Sequence, residues 1–355
     1  MKSASTITMT TQLTRVVNIE LAFSFLSLIH PRNNDGSRFV HPENTRDKIP
    51  FFGISGAIVC IKYKGKIRGI RKNEGQMNNV VSIDLQNDEK NINLKLARTN
   101  LQLTGANSEE SGTQSFLTLC SHISMAQGHI EYIRSLSSQI KESTVNFVLQ
   151  SIESMATHTL PEMNIEMISY LASKHSEKVD VRMAAFLWQY VEDFETFSPL
   201  KSKIEFIMNV VNSELPEMNI ILQEDDEHTG PLTIKNVNIS NSVYNYSLGK
   251  EVSLIQLSTF LLKKGFSIDY HPWNSSAMKV SIPIIDDEDD DDSSGDNTIR
   301  TVSSGNSKNK IKAHRFSCSH MTSIKQTSPT SKAHASQAYE LFMSGINAFF
   351  EETPA

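Results

Sequence analysis

The sequence predicts an α+β protein in which two similar successions of strands and helices flank an all-helical segment. Three observations predict this class. Both ends of the chain contain short runs of alternating polar and apolar residues, each end closes on a long amphipathic run, and the middle carries apolar residues at helical spacing. With 355 residues, 39 % of them hydrophobic, the chain is long enough for two domains, or for one domain with large insertions.

Residues 5–124 are predicted to begin with a strand and a short helix. The run STITMTTQLT alternates threonine with Ile7 and Met9, which is typical of a half-buried strand. Asn18 is a predicted N-cap, and apolar residues follow it at helical spacing as far as Ile29. Three further strands are predicted at 56–63, 80–86 and 92–96.

The stretch LQLTGANSEESGTQSFLTLCSHI, which starts at Leu101, predicts a strand, a tight turn and a capped helix. Its strand alternates leucine with Gln102 and Thr104, and the turn is predicted at 104–107 around a glycine. Ser108 is the predicted N-cap because its hydroxyl can accept a backbone N–H of the first helical turn. The two glutamates that follow complement the positive end of the helix dipole.

Residues 125–222 and 231–350 complete the predicted organisation. The first range is expected to form about four to six helices, because apolar residues recur there at helical spacing. It contains two copies of the hexapeptide LPEMNI, and the proline of each copy is interpreted as a local signal for the start of a helix. The second range repeats the succession strand, helix, strands, helix. Its segment 286–308 contains the run DDEDDDD and is predicted to be a disordered hairpin loop, because like charges repel.

Charge and cysteine usage restrict the function classes. The formal net charge is −6, which does not indicate a chain coated with basic groups, although charge can be local. The three cysteines form no CxxC pair, so we expect free thiols in a reducing, intracellular compartment rather than a zinc site. There is no apolar run of about 18 residues and no apolar signal core, so we expect neither a membrane span nor secretion.

Enzyme motifs are missing from the sequence, and we expect no catalytic residues, no metal and no cofactor. The chain has no GxxxxGKS or GxxxxGKT loop, no GxSxG turn and no HExxH helix. His314 and His320 share a strand parity, but their spacing gives no tight metal site without a third ligand. Trp273, which follows His271 and Pro272, is predicted to pack within a hairpin.

The motif TGANSEE at Thr104 is similar to the TGAKSEE turn of the TATA-box-binding protein family. The segments KNINLKLARTNLQLTG and HRFSCSHMTSIKQTSP also resemble the divergent TATA-box-binding-protein-like proteins of large DNA viruses. The resemblance covers residues 5–124 and 231–350. It implies two repeats, each strand, helix, four strands, helix, which together form a saddle-shaped sheet with helices on the convex side and the helical segment as an insertion.

In that family the concave sheet face lies on the DNA minor groove, and phenylalanine pairs wedge between base steps. Strand alternation, with the leucines of 94–103 assigned to the core, predicts which residues form this face here. Asn236 is added because it matches a groove-contacting asparagine of the family. The predicted concave face consists of Lys95, Ala97, Gln102, Thr104, Asn236, Ser317, Ser319, Lys325 and Thr327.

The wedge positions depart from the family pattern. Small residues, Ala97 and Ser319, occupy two of them, and the upstream position falls near Ser55 or Gly56, with a Phe-Phe pair shortly before it. A sharp wedged kink in DNA is therefore not expected. The lysines of the predicted face can still contact phosphates or bases. The alternative is that these residues are merely solvated on an open sheet face.

A second basic group lies in one predicted hairpin. Its charged residues alternate with apolar ones, which predicts a twisted hairpin with one charged face. Contact with phosphate is one interpretation, and a solvated sheet edge protected from aggregation by its lysines is the other. The group consists of Lys62, Lys64, Lys66, Arg68, Arg71 and Lys72.

Two function hypotheses follow. The first is a non-catalytic, TATA-box-binding-protein-like viral factor that binds DNA in transcription initiation through the concave face. The second is a structural or assembly protein that uses the saddle and the helical segment as a protein-interaction scaffold. The expected partners are DNA in the first case and proteins of a transcription or virion-assembly complex in either, with no membrane.

Overall fold

A computed structural model describes most of the chain. The described residues are 5–31, 39, 49–70, 79–87, 90–155, 165–189, 197–213, 221–223, 230–248, 251–273, 275–283, 313–319, 323–329 and 332–352. The predicted disordered loop 286–308 lies outside these ranges, as do Arg71, Lys72 and most of both LPEMNI copies.

Within the described ranges the chain forms thirteen strands and eight helices. The strands are β1 Thr6–Leu13, β2 Val16–Val17, β3 Ile58–Tyr63, β4 Lys66–Gly69, β5 Val81–Asn87, β6 Lys90–Leu96, β7 Asn100–Ala106, β8 Leu222–Gln223, β9 Ile234–Ser247, β10 Ser267–Asp269, β11 Ala277–Pro283, β12 Ala313–Ser319 and β13 Ser323–Ser328. The helices are α1 Ile19–Phe25, α2 Glu109–Ser135, α3 Ser138–Met155, α4 Ile165–Ser173, α5 Val181–Trp188, α6 Phe197–Asn212, α7 Leu254–Lys263 and α8 Lys332–Glu352.

Two helix starts lie where the capping signals in the sequence predicted them. The Asn18 side chain accepts from two backbone N–H groups at the start of α1. The Ser108 hydroxyl accepts from the N–H of Ser111 at 3.1 Å, which confirms it as the cap of α2. Gly265 follows α7 with a φ of 87°, a conformation that glycine adopts without strain.

Two local predictions are wrong. The apolar run after Asn18 does not continue as a helix to Ile29, because α1 ends at Phe25 and Leu26 is extended, with a φ of −62° and a ψ of 131°. The N–H of Ile29 instead donates to the carbonyl of Ile58 at 2.9 Å. The turn predicted at 104–107 also begins too early, because β7 continues to the buried Ala106.

The chain divides into two compact units that do not follow the predicted domain limits. Helix α2 runs without interruption through residue 124. The compact units report which residues pack together, whereas the predicted limits concern two repeats and an insertion. The predicted limits, which are 5–124, 125–222 and 231–350, therefore stay predictions. Unit 1 comprises residues 1–10, 104–112 and 238–355, and unit 2 comprises residues 11–103 and 113–237.

In unit 1 the strand order is β10-β11-β12-β13-β9-β1-β7, where β9, β1 and β7 contribute only their unit 1 residues. One face of this sheet is covered by α7 and α8. Phe316 of β12 stacks on Phe342 of α8 with ring centroids 4.3 Å apart. The core also contains Leu257 and Leu261 of α7, which are buried. Because two helices cover one face, the side chains of the other face are exposed or half-buried.

In unit 2 the strand order is β9-β1-β7-β6-β5-β3-β4, again with only the unit 2 residues of the first three strands. Helix α1 packs on β3, where the ring centroids of Phe23 and Tyr63 lie 5.8 Å apart. The helical segment packs on α1 in turn, since Phe25 stacks on Phe186 of α5 with centroids 6.2 Å apart. The segment therefore belongs to the same core as the first strands.

The α+β class is confirmed by these layers of antiparallel sheet and helix. The element orders β1-β2-α1-β3-β4-β5-β6-β7-α2 and β9-α7-β10-β11-β12-β13-α8 both contain the predicted succession strand, helix, strands, helix. The interpretation of these two successions as repeats of one family, separated by an insertion, remains a proposal.

Candidate nucleic-acid interface

The sheet of unit 1 has a polar face on the side away from α7 and α8. Alternation along β11 buries Met278, Val280 and Ile282, and along β12 it buries Phe316 and Cys318. The intervening side chains are exposed or half-buried and form what we name the unit 1 face. This face consists of Ala277, Lys279, Ser281, Ala313, Arg315, Ser317, Ser319, Ser323, Lys325, Thr327, Val243 and Asn245.

Strand pairing arranges the unit 1 face in rows that cross four strands. Lys279 of β11 is paired with Ser317 of β12, and Ser317 is paired with Lys325 of β13. Lys325 is in turn paired with Asn245 of β9. Neighbouring strands lie about 4.8 Å apart, so the two lysines of this row are separated by about 10 Å at their Cα atoms. The row thus alternates cationic and neutral hydrogen-bonding side chains.

Two further rows lie beside it. Ser281, Arg315 and Thr327 are paired across β11, β12 and β13. At the other end, Ala277 is paired with Ser319, whose hydroxyl lies 2.6 Å from that of Ser323. The sequence therefore correctly predicted that Ser317, Ser319, Lys325 and Thr327 share one face of unit 1.

The charged side chains that β11, β12 and β13 contribute to the unit 1 face are all cationic. In the fully described strands β11, β12 and β13, its positions include Lys279, Arg315 and Lys325 and no carboxylate. The nearest acid by pairing is Asp269 of β10, which is paired with Lys279 and lies 3.7 Å from the imidazole of His271. The local excess of positive charge coexists with the net charge of −6 of the chain.

A buried polar cluster fixes β13 against the helix layer below the unit 1 face. Gln326 donates to the carbonyl of Ala335 at 2.7 Å and accepts from the hydroxyl of Tyr246 at 2.9 Å. Burial raises the pKa of this tyrosine and lowers the pKa of His314, whose ring nitrogen lies 2.9 Å from the hydroxyl of Ser328. Both groups are therefore neutral at pH 7, and the positive charge is confined to the exposed side.

The remaining candidates in unit 1 lie where β1 and β7 meet. The hydroxyls of Thr8 and Thr104 lie 3.5 Å apart, so the exposed Thr104 lies beside the polar side of β1. That side of β1 also presents Thr6 and Thr10, while Ile7 and Met9 are buried, as the alternation predicted.

The candidates of unit 2 form a separate polar row. Lys62 of β3 is paired with Ser82 of β5, and Ser82 is paired with Lys95 of β6. Ala97 and Gln102 are half-buried, while the leucines at 94, 96, 101 and 103 are buried as predicted. Asn236 is exposed with a φ of 56°, and its amide donates to Oε1 of Gln12 at 3.3 Å.

One end of the polar face of unit 2 is covered by residues 49–52, which we name the 49–52 segment. Gln86 and Asn91 alternate in phase with Ser82 and Lys95, so their side chains belong to this face. Gln86 donates to the carbonyl of Pro50 at 2.9 Å, and Asn91 donates to that of Ile49. The face also contains Asp84, which accepts from Asn93 at 3.0 Å. It is therefore less accessible and less positive than the unit 1 face.

The positions of the expected wedges carry no exposed aromatic ring. Ala97 and Ser319 are half-buried, and Ser55 is exposed. Phe52, which lies close to the upstream position, is half-buried against Phe39, with ring centroids 5.0 Å apart. Its N–H donates to Oε1 of Gln86, so this ring serves packing.

The predicted charged face of the β3–β4 hairpin needs a correction. Arg68 is buried, and its guanidinium donates to the carbonyls of Phe23 at 2.6 Å and Ser24 at 3.3 Å. These carbonyls lie in the last turn of α1, where the helix dipole attracts a cation. Lys64 and Lys66 remain exposed, so the hairpin carries fewer accessible cations than its sequence suggested.

The prediction that Trp273 packs within its hairpin is wrong. Its side chain is 96 % exposed, the largest value among the exposed large hydrophobic residues of the described chain. Sequence reasoning also missed Lys279, Arg315 and Asn245. The alternation of buried and exposed residues along β11 could have assigned Lys279 to this face from the sequence. The assignment of Asn245 required the register of β9 against β13, which the structure supplies.

Among the described residues, no group of three His, Cys, Asp or Glu side chains could hold a metal ion. No helix in the described part of the chain is long and apolar enough to span a membrane.

Comparison with protein-family models and with curated proteins gives no match. Among solved structures, the chain is similar to the TBP of Methanococcus jannaschii, at 9 % sequence identity and with a TM-score of 0.36 over 98 % of each chain. At that identity and TM-score the likeness carries no inference about function.

Proposed function

We propose that the protein is a non-catalytic DNA-binding factor that contacts DNA through the unit 1 face. The observation that carries this proposal is the face itself, which combines Lys279, Arg315 and Lys325 with serine, threonine and asparagine and has no carboxylate on β11, β12 or β13, each of which is described in full. Cations of this kind neutralise phosphates, and hydroxyl and amide groups donate to phosphate and base edges.

The finer parts of the proposal rest on the resemblance of residues 90–105 and 314–329 to TATA-box-binding-protein-like proteins of large DNA viruses. They assign the factor to transcription initiation and to a virus, with partner proteins of a transcription or virion-assembly complex. Small residues at the expected wedge positions support binding that bends the duplex little, because unstacking a base step needs the insertion of apolar side chains.

A titration with fluorescently labelled AT-rich and GC-rich duplexes at two salt concentrations tests the proposal. We expect binding at low salt that weakens as salt rises, because counterions are released when phosphates are neutralised. Charge reversal by Lys325→Glu should weaken binding more than Lys95→Glu, because the face of unit 2 is partly covered and contains Asp84. No binding even at low salt would overturn the proposal.

The second candidate function is a protein-interaction scaffold, and α4 is the observation that favours it. Three large apolar side chains of this helix are exposed, Ile165 by 55 %, Met167 by 40 % and Tyr170 by 58 %. Met167 and Tyr170 are three residues apart and are therefore neighbours on the helix surface. Adjacent exposed apolar side chains are typical of interaction surfaces. If the scaffold is the function, substitution of Met167 and Tyr170 by serine abolishes partner association in the native host complex and leaves DNA affinity unchanged.

A further inference from the structure

The hairpin that joins β10 to β11 in unit 1 presents a tryptophan to solvent at its tip. Trp273 is 96 % exposed, whereas the other tryptophan of the chain, Trp188, is 4 % exposed in the core of unit 2. An aromatic side chain of this size gains on the order of 150–250 Å² of burial when it finds a partner surface. A side chain that leaves this gain unrealised in the free protein is suited to a binding contact.

Hydrogen bonds hold the described residues on both sides of the tryptophan. Strands β10 and β11 are paired from Ser267 to Asp269, and the N–H of Ser275 donates to the carbonyl of His271 at 2.9 Å across the loop. The Ser275 hydroxyl donates to the carbonyl of Ala277 at 2.7 Å. Pro272 precedes the tryptophan and restricts the backbone further. Because these contacts already restrict the backbone in the free protein, a ligand that binds at this tip causes a smaller loss of conformational entropy.

The loop joins the sheet next to the unit 1 face. Ala277, where β11 begins, is paired with Ser319 of that face. The cation Lys279 follows two residues later, on the same side of the strand. A chain of nucleotides that contacts Lys279 and Lys325 through its phosphates therefore passes close to the base of the hairpin. Bases are the part of such a ligand that a flat, exposed aromatic ring recognises.

We propose that Trp273 stacks on an unpaired base, and that the preferred ligand of the unit 1 face is DNA that contains unpaired bases. This inference rests on the proposed function and names its substrate class. Magnitudes decide between an unpaired base and an intact duplex. Stacking on one base improves affinity by about 5- to 150-fold, whereas opening a stacked duplex step weakens it on the order of 100-fold. At the upper end of its range one ring only matches the cost of opening a single duplex step, and over most of that range it falls short. A base that is already free carries no such cost, so the whole stacking gain strengthens its binding.

The test compares the affinity of the full chain for three labelled DNAs of one sequence: a duplex, the same duplex with a central mismatched stretch, and a single strand. We expect the wild type to bind the mismatched duplex and the single strand at least about 5-fold more tightly than the duplex. Trp273→Ala should remove this preference and leave duplex affinity unchanged, while Trp273→Phe should retain part of it. Phe206→Ala, at an aromatic residue of unit 2 that is 40 % exposed, is the matched control and should leave all three affinities unchanged.

Tryptophan fluorescence distinguishes stacking of Trp273 on a base from a purely structural role of this residue. The two tryptophans differ in exposure, so Trp273 accounts for the long-wavelength emission and Trp188 for the short-wavelength emission. Mismatched DNA should quench the long-wavelength component selectively, and this quenching should be absent in Trp273→Phe. Equal affinity of the wild type for duplex and mismatched DNA would overturn the inference while leaving the proposed function intact. An affinity for mismatched DNA that Trp273→Ala leaves unchanged would do the same. Binding of none of the three DNAs would overturn both.

Discussion

Replacing Gln86 by alanine should release the 49–52 segment from the sheet of unit 2. The Gln86 side chain is buried, and both its amide nitrogen and its amide oxygen are hydrogen-bonded. Its Nε2 donates to the carbonyl of Pro50 at 2.9 Å and to Oδ1 of Asn91 at 2.9 Å. Its Oε1 accepts from the N–H of Phe52 at 3.0 Å. Alanine removes all three hydrogen bonds at once.

The expected loss can be worked out from these contacts. Each lost hydrogen bond leaves one group of the segment or of the sheet without its partner, which destabilises by about 1 kcal/mol where water can reach the site. Phe52 is only half-buried, so we use this lower value for each of the three groups. The sum is about 3 kcal/mol for unfolding. The bonds to Pro50 and Phe52 are the two that reach the segment, so about 2 kcal/mol of this sum acts on its opening equilibrium, which rises about 30-fold.

Two assays measure this effect. Urea denaturation reports the change in the free energy of unfolding, and amide hydrogen exchange at Phe52 reports the opening of the segment itself. Gln102→Ala, at a half-buried glutamine of the same unit, is the matched control and should destabilise by less than about 0.5 kcal/mol. If Gln86→Ala destabilises no more than the control and leaves exchange at Phe52 unchanged, the segment is not held by these bonds.

Three further predictions concern stability and reactivity. Gly69→Ala should destabilise strongly, because the φ at this glycine is 99° and a Cβ would lie 2.3 Å from the carbonyl oxygen of Val59; Gly65→Ala, with a φ of 74° but open space around it, should destabilise less in the same thermal melt. Burial raises the pKa of the Cys318 thiol to about 12, so a thiol reagent at pH 8 should modify it only in urea, and fast labelling of the folded protein would contradict this burial. Burial lowers the pKa of His314 in the folded state. Its contribution to stability is therefore present above the unfolded pKa of about 6.5 and is lost as the pH falls through the lower folded pKa. His314→Gln should flatten this part of the pH–stability curve, and an unchanged curve would refute the assignment.

Much of the local structure could be predicted because its causes are local. The caps at Asn18 and Ser108 satisfy N–H groups two or three residues away, and alternation in β6 and β13 sorts the buried from the exposed residues. These patterns correctly assigned Lys95 and Lys325 to polar sheet faces. The assignment of both sets of residues to one concave, DNA-binding face stays a prediction.

The contacts that sequence reasoning missed are contacts over long separations. Arg68 was read as a surface cation, but its partners in the last turn of α1 lie 44 and 45 residues earlier. The cover on the face of unit 2 depends on Gln86 and residues 34 to 36 positions before it. The sequence predicted that Trp273 packs within its hairpin, and the folded chain reveals its exposure. Nothing within a few residues of these positions signals such partners.

The salt dependence of DNA affinity tests the central claim most directly. The double variant Lys279→Ala/Lys325→Ala removes two cations of the unit 1 face, and Lys174→Ala/Lys201→Ala removes two exposed lysines of the helical segment as a charge-matched control. If the unit 1 face holds phosphates, the slope of log K against log salt becomes shallower by about 2 in the first variant and stays unchanged in the second. An unchanged slope in the first variant, or equal changes in both, would contradict DNA binding through this face.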